Sequence, residues 1–116
     1  MRKFATSDWR EKKLQKQKIS MLTAYDFHSA LTCDRNGIDA ILVGDSLGQM
    51  IQGDQDNRSV TITEMMYHTR LVCKGVRFSY VVADMPFGSY ETPEKAVESA
   101  KILTEEGGAD AVLMEG

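Results

Sequence analysis

Ile41-Leu42-Val43-Gly44-Asp45-Ser46-Leu47-Gly48 is an apolar run that halts at a glycine and then delivers an acid and a hydroxyl. Residues 38–43 read as a short buried strand, since the run is apolar but for Asp39 and is bounded by a glycine at each end. An aspartate after one strand is an ordinary turn former. Here the pattern recurs. Residues 78–83 form a second apolar run that ends in Asp84, and residues 109–114 form a third that closes on Glu115.

Helical signals fill the intervals. Asp26 can cap a helix that runs to about Asn36, where Asn36-Gly37 supplies a stop. Thr61-Ile62-Thr63-Glu64 is a capping box, and Ile62, Met65, Met66, Thr69, Val72 and Cys73 follow at helical spacing. Thr92-Pro93-Glu94 combines a cap, a first-turn proline and an acid at the positive end of the dipole. Ala96, Val97, Ala100 and Leu103 are the expected buried face of that helix, and Gly107-Gly108 its end. Upstream, residues 18–25 read as a first strand, and residues 8–17 as a short helix capped by Asp8 with Glu11 three residues on. Residues 1–17 are thus an N-terminal arm, and residues 18–116 form one β-α-β-α-β-α-β unit.

That alternation calls for a parallel sheet covered by helices. Two architectures fit: an open doubly wound sheet, and the first half of a (β/α)8 barrel, whose full form needs roughly 250 residues. No GxGxxG fingerprint follows the first strand, which counts against a dinucleotide-binding sheet. The connection at residues 49–59 is longer than α/β loops usually are, and its acidic block Asp54-Gln55-Asp56-Asn57 reads as mobile. It lacks the glycine and terminal glutamate of a calcium loop.

In a parallel sheet Asp45, Asp84 and Glu115 fall on one rim, the rim that carries chemistry in barrels. Each could instead cap the helix that follows it. Clustered together, they would repel unless a cation joined them or their pKa values rose. Oxygen-only ligands suit a hard ion, and Mg²⁺ typically takes one or two carboxylates with water and substrate oxygens. A 2-oxo acid could complete such a site, the metal polarising its carbonyl and stabilising an enolate at the neighbouring carbon.

Gly44-Asp45-Ser46-Leu47-Gly48, Tyr67-His68-Thr69, Ala83-Asp84-Met85-Pro86-Phe87, Thr92-Pro93-Glu94-Lys95-Ala96 and Glu115-Gly116 together resemble the ketopantoate hydroxymethyltransferase family, from about Lys18 onward. The resemblance implies a (β/α)8 TIM barrel of the phosphoenolpyruvate mutase and isocitrate lyase kind, with only the first four strands present. It implies transfer of a hydroxymethyl group from 5,10-methylenetetrahydrofolate to 3-methyl-2-oxobutanoate in pantothenate synthesis, and a decameric homo-oligomer. It further implies Mg²⁺ at Asp45, Asp84 and Glu115, and 2-oxo acid contacts at Asp45, Ser46 and Asp84. Two departures stand out. Leu113 occupies the position of a substrate-contacting lysine of the family, and the family's general base would lie beyond Gly116, so a truncated chain is expected. Another Mg²⁺-dependent 2-oxo acid lyase or mutase, or a non-catalytic half barrel serving as a binding or assembly module, are the alternative readings.

With 116 residues and 42% hydrophobic content the chain has material for one modest core. Its formal net charge of -3 gives no global reason to expect a nucleic acid or an anionic membrane as partner. The basic run at residues 10–18 reads as a solvated or packing arm. Cys33 and Cys73 lack CxxC spacing and read as reduced, buried thiols of a cytoplasmic protein. No secretory signal is apparent, and no run approaches the roughly 20 apolar residues of a membrane span. His68 has no second histidine at metal spacing and reads as a packed helix residue.

Overall fold

Asp26, Thr61 and Thr92 each begin a helix by accepting a hydrogen bond from the backbone amide three residues on, at 2.8 Å from Ser29 and 3.1 Å from Glu64 and Lys95. Glu64 returns a carboxylate oxygen to the Thr61 amide at 2.8 Å, completing the capping box. The computed structural model describes residues 2–115; Met1 and Gly116, the second half of the Glu115-Gly116 pair, lie outside the described residues. The elements are α1 (Thr6–Leu14), β1 (Met21–Thr23), α2 (Phe27–Arg35), β2 (Ala40–Val43), α3 (Leu47–Met50), α4 (Ile62–Gly75), β3 (Tyr80–Asp84), α5 (Pro93–Lys101), which continues into a π-helical turn (Ile102–Glu106), and β4 (Ala111–Leu113).

The four strands form one sheet in the order β1-β2-β3-β4, every pair parallel. Sequential order without a reversal is barrel topology; a doubly wound sheet would switch direction. The two faces differ accordingly. Ile41, Val43, Val81 and Ala83 point to one side and pack with Ala30 of α2, Met65 and Val72 of α4 and Leu103 of the π-helical turn. Ala40, Tyr80 and Val82 point to the other, where Phe4 covers only the starts of the strands. Phe4 meets Trp9, Phe78 and Tyr80 edge to face, with centroids at 6.0, 6.0 and 6.4 Å. Lys12 of α1 bonds Asp39 at 2.9 Å and Lys3 bonds Asp110 at 2.9 Å, so part of the N-terminal basic charge is spent on anchoring the arm.

Several boundaries shift from the sequence reading. Asp8 is the third residue of α1 rather than its cap; its Oδ2 accepts from the Ala5 amide at 2.7 Å, and its ion pair with Arg2 holds the carboxyl down at about 2. Each strand starts two or three residues later than its apolar run, β1 and β4 also end one or two residues early, and β3 runs on to Asp84, because pairing with a neighbour, not propensity, sets their length. α3 was not expected: the strand-end glycines masked a turn of helix. Val97 is exposed, and Ser99 takes the buried position on α5, where its hydroxyl donates to the Ser89 carbonyl at 2.7 Å.

Asp34, near the end of α2, accepts from the amides of Arg77, Phe78 and Ser79 at 3.0, 2.8 and 2.8 Å and so holds the chain entering β3. Burial raises its pKa, but these three amides outweigh that and leave the carboxyl below its ordinary range. Asp34→Ala should therefore destabilise the fold by roughly 2–3 kcal/mol, read as a lowered midpoint in urea with an unchanged slope.

Candidate active site

The side-chain alternation that buries Ile41 and Val43 under the helices puts Asp84 on the opposite, inner face, at the C-terminal end of β3. Asp45 follows β2 by two residues, and Glu115 follows β4 by two. All three line one cavity of ≈ 140 Å³ at the rim of the sheet, together with Asn57, Met85, Phe87, Tyr90 and Leu113. The three acids read from the strand ends are thus brought together. They differ sharply in exposure: Asp84 is 6% exposed, Asp45 half-buried and Glu115 exposed. Among the described residues no group of three or more His, Cys, Asp or Glu side chains closes to metal-ligand spacing.

Asp84 is the most constrained of the three. Its Oδ2 accepts from the Asp45 backbone amide at 2.9 Å, while its Oδ1 is buried without any hydrogen-bond partner. Burial, then the nearby negative charges of Asp45 and Glu115, pushes the carboxyl up to about 6, against the opposing pull of that amide. A buried acceptor oxygen left without a donor is rare, and its chemistry suits a cation or a proton. Gly44 leaves room for the neighbouring serine: a Cβ there would lie 2.9 Å from Ser46 Oγ, while Asp84 Oδ2 at 3.6 Å would be an ordinary contact.

Ser46 is half-buried, and its hydroxyl pairs with the Tyr25 hydroxyl at 2.7 Å. His68 holds the same tyrosine from below, its Nδ1 donating to the Tyr25 carbonyl at 2.7 Å. His68 is therefore a hydrogen-bonded helix residue, as its isolation in the sequence suggested. Tyr25 and Asn57 were not read as site residues. For Asn57 the signal was present but misleading, because an amide inside an acidic block looks like solvated loop. Leu113 is the β-ladder partner of Asp84 and lines the cavity with an apolar side chain.

The carboxylates fit a hard cation on one observation of the chain itself, the unpartnered, buried Asp84 Oδ1 beside two further acids. Neither cysteine belongs to this group; both are free, and burial pushes the Cys73 thiol up to about 11. No helix among the described residues is long and apolar enough to cross a membrane.

Comparison with known proteins bears on both fold and family. Solved structures of a phosphoenolpyruvate phosphomutase from Streptomyces platensis subsp. rosaceus and of 2,3-dimethylmalate lyase, a PEP mutase/isocitrate lyase superfamily member, superpose with TM-scores of 0.74 and 0.72. They cover 93% and 97% of this chain and 37% and 39% of their own length, at 20% and 21% identity, a likeness of fold. The chain is thus a partial barrel of that superfamily's kind. Proteins named 3-methyl-2-oxobutanoate hydroxymethyltransferase are 49% identical in Clostridium botulinum, over 98% of this chain, and 51% identical in Pyrococcus furiosus, over 87% of it. The chain spans 42% and 36% of the length of those two relatives. The profile of the ketopantoate hydroxymethyltransferase family matches residues 3–116. A match of that extent, joined to relatives of one name at such identity, makes this chain a member of the ketopantoate hydroxymethyltransferase family.

Proposed function

We propose that this chain carries the cation and 2-oxo acid side of a 3-methyl-2-oxobutanoate hydroxymethyltransferase site. The reaction would join the one-carbon unit of 5,10-methylenetetrahydrofolate to C3 of 3-methyl-2-oxobutanoate, consume one water and the C3 proton, and yield 2-dehydropantoate with release of tetrahydrofolate. The observation that carries this reading is the buried, unpartnered oxygen of Asp84 within a cavity lined by two further acids.

Asp84 and Asp45 would hold Mg²⁺, with the exposed Glu115 reaching it directly or through water. Mg²⁺, when bound, would polarise the 2-oxo group and so favour loss of the C3 proton. Ser46, held by Tyr25, would present its hydroxyl to the substrate, and the exposed Phe87 at the cavity edge would shield it from water. Leu113 brings no charge to the developing enolate, and removal of such an electrostatic partner commonly lowers rates by 10²–10³. The apolar side chain at that position is the one observation favouring a second reading, a module that binds cation and 2-oxo acid without turnover.

Calorimetry with Mg²⁺, followed by 3-methyl-2-oxobutanoate, tests the first reading: the oxo acid should bind only after the metal. Absence of Mg²⁺ binding would sink the site assignment. Exchange of the C3 hydrogen with deuterated water, followed by NMR, separates the two readings. Leu113→Lys should speed exchange about a hundredfold over the unmodified chain. No exchange in either form, with Mg²⁺ still binding, would support the non-catalytic module.

A further inference from the structure

The loop between α3 and α4 returns one side chain to the site. Asn57 Nδ2 donates to Asp45 Oδ2 at 3.0 Å, and Asn57 lines the same cavity as the three acids. The loop is built to deliver it. Asp54 donates its amide to the Gly48 carbonyl at 2.8 Å, and Ser59 Oγ donates to Asp54 Oδ2 at 2.8 Å. Arg58 clamps Asp56 through its amide at 2.8 Å and through its guanidinium at 2.8 and 3.2 Å. Val60, 3% exposed, seats the far end against Gly48, where any Cβ would meet Val60 Cγ2 at 2.6 Å. The block that reads as mobile in sequence is tied down on both sides of Asn57.

We propose that Asn57 is the positioning residue for Asp45: its amide fixes one carboxylate oxygen, and with it the plane of the group, so that the carboxylate meets a divalent cation already oriented. The inference rests on the cation reading of the site and concerns only how Asp45 is held. Partners that orient a ligand in this way are commonly worth 10–100-fold in metal affinity. The role assigned to Asn57 is exercised through Asp45.

The test is Mg²⁺ titration calorimetry on the full chain, with melting followed in parallel without metal. Asn57→Ala, which deletes the donor, and Asn57→Leu, which keeps the volume without a donor, should both weaken Mg²⁺ binding at least tenfold. Adding Asn57→Ala to an Asp45→Asn chain should cause no further loss, a coupling that a merely structural loop residue would not produce. Unchanged affinity in Asn57→Leu, or full additivity of the two changes, overturns the positioning role while leaving the cation site standing. An unmodified chain that does not bind Mg²⁺ overturns both.

Discussion

Asp84→Asn is expected to raise the melting temperature of the metal-free chain near neutral pH and to abolish its Mg²⁺ binding. Both effects come from one oxygen. In the native chain Asp84 is buried beside Asp45 and Glu115, which pushes its pKa up to about 6 from an ordinary 3.8. The folded state therefore holds this proton more tightly than the unfolded state, and the sign follows by linkage. The contribution from Asp84 is fully present below about 3.8, falls as pH rises through about 6, and at neutral pH the ionised group opposes folding. Asparagine keeps an acceptor for the Asp45 amide and carries no charge, so it removes the penalty.

On the scale of about 1.4 kcal/mol per pKa unit, a rise from 3.8 to about 6 corresponds to a gain of about 3 kcal/mol at neutral pH. For a chain of this size that is about 10 °C in melting temperature. Asp8, Asp26, Asp34, Asp39, Asp56 and Glu64 all have lowered pKa values and add stability as pH rises in the acid range, so the quantity to read is the difference between variant and parent. That difference should be near zero at pH 4, open up towards pH 6 and level off above it. Saturating Mg²⁺ should stabilise the parent and leave the variant unmoved. A variant that melts below its parent at neutral pH, or still binds Mg²⁺, would remove Asp84 from the centre of the site.

The second large effect concerns association. β1 and β4 each pair on one side only, and the inner face is covered by the N-terminal arm only at the strand starts. Met21 and Leu22 on β1 and Leu113 and Met114 at β4 lie at these margins, with exposures of 42, 50, 36 and 55%. Unpaired parallel edges carrying exposed apolar side chains recruit further strands. At micromolar concentration the chain should sediment as a dimer or larger species, and Leu22→Glu should shift it towards monomer. A concentration-independent monomer in the ultracentrifuge would refute the expectation. We propose a homo-oligomer on the same grounds.

Three helix beginnings were readable from sequence because a cap is a local contract: Asp26, Thr61 and Thr92 need only the amide three residues away, whereas Asp8 falls inside α1 and α3 has no side-chain cap. Strand limits were not, because the length of β1 is decided by what β2 offers it across the ladder. Val97 carried a helical period that could point to either side of α5; packing of Ser99 against the Ser89 carbonyl settled the rotation. The acids of the site were legible for a topological reason, since each follows a strand of one parallel sheet. Asn57 was not, because its role depends on a loop folding back across 12 residues to Asp45, which no periodicity announces.

The π-helical turn at Ile102–Glu106 has a consequence for how this segment tolerates insertion and deletion. Gly107 donates to the Ile102 carbonyl five residues back at 3.0 Å, so the turn encloses one residue more than an α-helical turn would. A single-residue gap placed there would leave an ordinary helix and let β4 keep its place. The same gap between residues 109 and 113 would exchange inward and outward side chains along the strand, carrying Leu113 and Glu115 out of the cavity. Length variation among homologues should therefore collect at the wide turn and be rare in the strand that follows.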